Sequence, residues 1–146
     1  MIYRLLNGPD DPDVQYLSEI LRLPDISRFI SIDEDNYWNY VTKTENVFYF
    51  KAYENENLVA ATHCEIINKT LFMDVMVIPN YRRNGIATQI LSDIQSGVLP
   101  LCFDKIEVAI DKTNTASIRL FEKMNFTYIS TEDELLKYIY VKNPSC

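Results

Sequence analysis

The stretch from Val75 to Thr88, VMVIPNYRRNGIAT, most constrains what this chain folds into. An apolar, β-branched run meets Pro79, which has no N–H and cannot continue a strand ladder. Arg82, Arg83 and Asn84 follow, and Gly85 removes the side chain where an apolar helical pattern begins. The pattern predicts a buried strand, a sharp turn and a helix. The first N–H groups of a helix have no partner inside it, and the helix dipole adds partial positive charge there. Such a start attracts phosphate or pyrophosphate. The spacing is neither the GxxxxGK[ST] of a P-loop nor the GxGxxG of a dinucleotide-binding turn.

The rest of the chain frames that segment. Its 146 residues suit one domain, expected to span residues 1–146. Ile2 to Leu6 reads as a first strand, closed by Asn7-Gly8-Pro9. Val14, Leu17, Ile20 and Leu21 recur at helical spacing until Pro24, and a second helix is expected from Ile32 to Thr44. The period then changes. Val47 to Tyr53, Leu58 to Ile67 and Thr70 to Ile78 are aromatic and β-branched runs separated by short turns. They predict three antiparallel strands feeding the Gly85 helix, which is expected to run to Val98. A strand at Lys105 to Ala109, a helix from Asn114 to Lys123 and strands at Thr127 to Thr131 and Leu135 to Val141 complete the order. Strands interrupted by helices in so short a chain predict an α/β (α+β) sheet of mixed pairing, about seven strands flanked by about four helices.

Composition excludes several classes. The formal net charge is −7, with acidic runs at Asp10-Asp11-Asp13, Asp33-Glu34-Asp35 and Glu132-Asp133-Glu134. Nucleic-acid binding needs a basic footprint, so none is expected; an acidic surface suits a cationic acceptor such as an amine. No apolar stretch reaches membrane-spanning length, and Met1 to Leu6 lacks the pattern of a signal peptide, so a cytoplasmic protein is expected. Cys64, Cys102 and Cys146 are far apart, odd in number and without a C-x-x-C pair, which is the spacing of neither a disulfide framework nor a zinc site. His63 is the only histidine, and no G-x-S-x-G accompanies it.

Two segments carry a family likeness. Arg82-x-x-Gly85-x-Ala87, preceded by Val77-Ile78-Pro79-Asn80-Tyr81, resembles the R/Q-x-x-G-x-G/A signature of the GNAT N-acetyltransferases. Asn114 to Phe126 resembles the family's second signature, N-x-x-[AS]-x-x-x-[YF]-E-K-x-G-F, and the order of elements matches over nearly the whole chain. The resemblance implies a mostly antiparallel mixed sheet whose two central parallel strands splay apart to admit acetyl-CoA as co-substrate. It implies a pyrophosphate held by backbone amides of Arg83, Asn84, Gly85, Ile86, Ala87 and Thr88 beside Arg82. The pantetheine arm would bond the strand at Val75, Met76 and Val77. Asn114 would contact the pantetheine arm or the acyl end, Ser117 on the same helix face would add a hydroxyl, and the Phe121 ring would lie against the cofactor. No metal is implied. The acceptor would be a primary amine of a small molecule or peptide, and exposed strands at the sheet's end are where two subunits of a homodimer would pair.

The departures concern catalysis. Asn125 replaces the Gly of the second signature, a tolerable change because Asn adopts the left-handed conformation that ends helices. Phe121 replaces the Tyr that in many relatives protonates the departing thiolate, and a general acid is typically worth about 10²–10⁴-fold. Leu71 and Met73 occupy places where relatives often carry a Glu or His that takes the acceptor's proton. Asp74 between them is on the opposite face by alternation, and His63 and Glu65 on the preceding strand share one face. No catalytic residue is assigned on this basis; proton removal through water, with proximity and backbone N–H groups doing the rest, is the scheme the sequence favours. The same losses keep a second reading open, a non-catalytic acyl-CoA-binding regulatory module of the same fold.

Overall fold

Two-residue turns determine the centre of the sheet. Asn55 and Glu56, then Asn68 and Lys69, all adopt positive φ, the twist that lets adjacent strands fold back on each other. They join β2 (Val47–Glu54), β3 (Asn57–Ile67) and β4 (Thr70–Val77) into an antiparallel meander. β1 (Ile2–Leu5) adds antiparallel to β2, and β5 (Lys105–Asp111) adds parallel to β4. β6 (Thr127–Glu132) and β7 (Leu135–Val141) finish a seven-stranded sheet of order β1-β2-β3-β4-β5-β7-β6. This computed structural model describes residues 1–142.

Helices cover both faces. α1 (Val14–Leu21), α2 (Pro24–Ser27) and α3 (Tyr37–Lys43) pack on one side, where Leu17, Leu21, Ile26, Trp38 and Val41 meet Tyr49, Ala61, Met76 and Ile78 of the sheet. α4 (Ile86–Gln95) and α5 (Thr115–Lys123) pack with the larger core of Phe50, Val59, Cys64, Leu71, Phe103 and Ile106. Fully burying such side chains contributes about 1.5–3 kcal/mol each. An ion cluster ties α1 to the sheet: the nearly buried Lys51 ammonium of β2 lies 2.9 Å from Asp11 and 2.8 Å from Asp13.

Three elements differ from expectation. α2 was not anticipated, because Pro24 read only as the end of α1. α3 begins at Tyr37, not Ile32, since the Asp33 carboxylate accepts from the Asp35 N–H and the Asn36 amide and holds a turn there. α4 ends at Gln95, not Val98, because Gly97 takes φ +83° and Val98 N–H bonds the Asp93 carbonyl at 2.9 Å, a helix stop that favours glycine. The same stop closes α5 with Asn125 at φ +70° and Phe126 N–H on the Phe121 carbonyl at 3.0 Å. Asn thus serves where the family pattern has Gly. Cys64 is a buried free thiol; Cys102 is disulfide-bonded, of which its spacing gave no sign; Cys146 lies outside the described residues.

Candidate active site

The sheet parts in the middle. β4 and β5 pair only between residues 70–72 and 105–107, then diverge. Beyond that point the β5-facing backbone groups of β4 have no strand partner, and a cavity of about 650 Å³ occupies the gap. Residues 73–77 of β4 and 108–111 of β5 form its sides. Because it runs through the sheet, it reaches α4 and α5 on one face and α2 on the other.

One end attracts anions. Gly85 caps α4 with φ +73°, and the first helical bond is Gln89 N–H to the Gly85 carbonyl. The N–H groups of Ile86, Ala87 and Thr88 therefore lack intrahelical partners. A Cβ built on Gly85 meets no atom within 4 Å. The protein itself leaves that space open. Arg82 and Arg83 line the same end, and the Arg82 guanidinium bonds Asp25 of α2 at 2.7 Å.

The other end is apolar and acidic. Ile26, Phe29 and Ile30 line it together with Asp25, Asp74 and Asp111, while Met73 lines the cavity from the face packed by α4 and α5. Burial raises the Asp74 carboxyl to about 6, opposed only by a hydrogen bond from the His63 backbone N–H. Asp74 shares a sheet face with α2 because it pairs directly with His63 in a β3–β4 register that runs without a bulge. Strand alternation does point it away from Met73 and Val75. The gap nevertheless exposes both faces of β4, so both sets reach the cavity.

Of the residues expected to hold the co-substrate, Val75, Met76, Val77, Arg82, Arg83, Gly85, Ile86, Ala87, Thr88, Asn114, Ser117 and Phe121 all line this one cavity. Asn84 does not; its amide turns back to the Tyr81 carbonyl. Asn114 caps α5 through the Ser117 N–H at 3.3 Å. Leu71 is fully buried. His63 and Glu65 lie outside the cavity, with His63 Nδ1 and the Tyr37 hydroxyl 2.8 Å apart and its Nε2 3.7 Å from Glu65. Burial holds the His63 imidazole below its usual range. Trp38 is core, its Nε1–H donating to Ser18 Oγ, and neither it nor Tyr37 nor Tyr40 lines the cavity. The α2 wall of the cavity was missed, although Pro24 followed by Asp25 is a helix-start pattern. Among the described residues no group of three or more His, Cys, Asp or Glu is arranged to hold a metal ion. None of the helices described is long and apolar enough to cross a membrane.

A mixed sheet parted between two parallel strands, with a phosphate-attracting helix start at the gap, is the architecture of an acyltransferase. Residues 14–126 match the acetyltransferase (GNAT) family, and the chain belongs to that family of acetyl-CoA-dependent N-acetyltransferases. No curated protein sequence matches it. Its fold is similar to that of the Campylobacter jejuni N-acetyltransferase PseH in complex with acetyl coenzyme A, at 13% identity and TM-score 0.72, covering 97% of this chain and 100% of that one. It is also similar to the ribosomal-protein-S18-alanine N-acetyltransferase of Escherichia coli, at 14% identity and TM-score 0.72 over 99% and 97% of the two chains. A spermidine N-acetyltransferase SpeG chimera from Vibrio cholerae and hSSAT gives 14% identity and TM-score 0.76 over 97% and 96%.

Proposed function

We propose that this chain moves the acetyl group of acetyl-CoA onto a primary amine of a small molecule or peptide by direct attack, with Asp74 receiving the proton. One observation carries the reading: a single cavity joins the anion-attracting start of α4 to a desolvated carboxylate on the opposite face of the sheet. The pyrophosphate belongs at the free N–H groups of residues 86–88, where Gly85 leaves room. The pantetheine then runs along residues 75–77, and the thioester carbonyl sits in the gap, where unpaired backbone N–H groups stabilise the oxyanion.

The amine arrives from the α2 side, among Phe29, Ile30 and the three carboxylates. An ordinary ammonium, with a pKa near 10, is too weak an acid for Asp74 to deprotonate fully. The small neutral fraction, its first proton lost to water, attacks the carbonyl with its lone pair. The attached nitrogen is then far more acidic, and a carboxylate with pKa about 6 is an adequate acceptor for its second proton. Phe121 offers no proton to the leaving thiolate. A thiolate is a stable leaving group with a conjugate-acid pKa only modestly above neutrality, so water suffices.

The test is calorimetric titration with acetyl-CoA, using CoA and ATP as comparisons, followed by thiol-release assays with small amines, polyamines and peptide N-termini. Micromolar acetyl-CoA binding, little response to ATP and turnover lowered in Asp74→Asn are expected. Binding without turnover of any amine would favour the regulatory module. Absence of binding would sink the reading.

A further inference from the structure

The acceptor-side helix and the cofactor loop are physically joined. Asp25 of α2 and Arg82, 57 residues apart, meet at 2.7 Å, and both side chains line the cavity. The pair is exposed, 57% and 41% accessible respectively, and such pairs are weak and easily exchanged. The Arg82 guanidinium beside Asp25 holds its carboxyl below the usual carboxylate range. Arg82 is thus a cation at the anion-binding end whose charge is already spent on the acceptor end. A pyrophosphate offers it two negative charges and the bidentate oxygen geometry that guanidinium prefers.

We propose that Asp25 and Arg82 form a latch that acyl-CoA opens: Arg82 exchanges the Asp25 carboxylate for the pyrophosphate, and the released carboxylate then receives the acceptor's ammonium. The inference rests on the reading that acyl-CoA occupies this cavity. Two consequences follow. The empty protein spends part of the cofactor's binding free energy on breaking the pair. The Asp25 carboxylate, which lines the cavity with Asp74 and Asp111, is freed for a cationic acceptor only after the cofactor has taken Arg82. Asp25 acts as a specificity-determining residue for cationic acceptors, held shut in the absence of cofactor. Ser27 and Arg28 hang on the same short helix through backbone bonds to Leu23 and Pro24, so freeing Asp25 also loosens α2.

The experiment is a double-mutant cycle read by calorimetric titration with CoA alone, which needs no acceptor. Wild type, Asp25→Asn, Arg82→Gln and the double variant are compared. Asp25→Asn should tighten CoA roughly two- to fivefold, the strength of an exposed pair, and Arg82→Gln should weaken it. With Arg82 already replaced, Asp25→Asn should change nothing. Amide hydrogen exchange supplies the second readout: CoA should speed exchange across residues 25–28 in wild type and leave it unaltered in Asp25→Asn. A pair that only anchors α2 predicts the opposite sign, since losing the anchor would weaken CoA or leave it unchanged. Additive effects, or faster α2 exchange absent on CoA binding, would overturn the latch while leaving the cavity's assignment standing. Failure of wild type to bind CoA at all would instead remove the cofactor reading beneath it.

Discussion

At the scale of single residues, two side-chain choices separate stability from activity. Gly85 sits at φ +73° with nothing facing it, so the protein alone does not require its small size. Gly85→Ala should cost about 1–2 kcal/mol through the left-handed backbone, measured by urea denaturation. Its Cβ would stand in the phosphate space, and CoA affinity should fall at least about tenfold by calorimetry. Asp74 is the converse case. Its folded pKa of about 6 is raised above the ordinary value of 3.8, so the native state binds more protons than the unfolded chain between those values. Stability from this group is therefore highest at low pH and lost as pH rises through that window. Asp74→Asn should gain roughly 1–3 kcal/mol at pH 7 and flatten stability between pH 4 and 6. The same variant should lower kcat about 10²–10⁴-fold. In wild type, activity should show an acid limb near pH 6, where Asp74 ionises. A variant both more stable and fully active would exclude Asp74 from proton transfer.

At the scale of elements, buried charge does the work that a longer helix would otherwise do. α1 has eight residues and an Asp13 N-cap without a side-chain cap bond, too short to hold itself in water. Its start is tied to β2 through Lys51, whose charge both Asp11 and Asp13 satisfy. Burial opposes the Asp13 charge, but bonds from Lys51 and Tyr53 outweigh it and keep the carboxyl below its usual range. Removing one partner of such a buried cluster strands the others. Lys51→Ala should destabilise by about 3–5 kcal/mol, seen as a lowered denaturation midpoint, whereas Lys51→Met with Asp11→Asn and Asp13→Asn should recover much of the loss.

At the scale of the whole molecule, function depends on what the sheet does not pair. The three-residue contact of β4 with β5 is enough to hold the sheet together, and the divergence beyond it creates the cavity. Ala109 is an exposed β5 residue on its wall. Ala109→Trp should therefore leave stability within about 0.5 kcal/mol while the indole, about 150–250 Å² of surface, fills the gap and blocks acetyl-CoA. Unchanged acetyl-CoA binding in a folded Ala109→Trp protein would show that the co-substrate does not pass between these strands.

The amino-acid sequence by itself determined what short-range sterics and hydrogen bonding decide. The αL turns of the meander, the Gly85 start of α4 and the Asn125 stop of α5 each follow from one or two residues and their backbone limits. The family likeness rests on the same local patterns, and all but Asn84 of the residues it implied meet in one cavity. Only the tertiary structure decided which groups face each other across the gap. Asp74 reads as misplaced by strand alternation, a rule that assumes a continuous sheet with one accessible face, and the splay removes that assumption. Tyr37 and Trp38 could by sequence line an acceptor pocket but more readily suit a core, and their edge contacts with Tyr49 place them against the core. The bond from Arg82 to Asp25 spans 57 residues; no local pattern encodes it, because it exists only once α2 and the α4 loop are folded against the same opening.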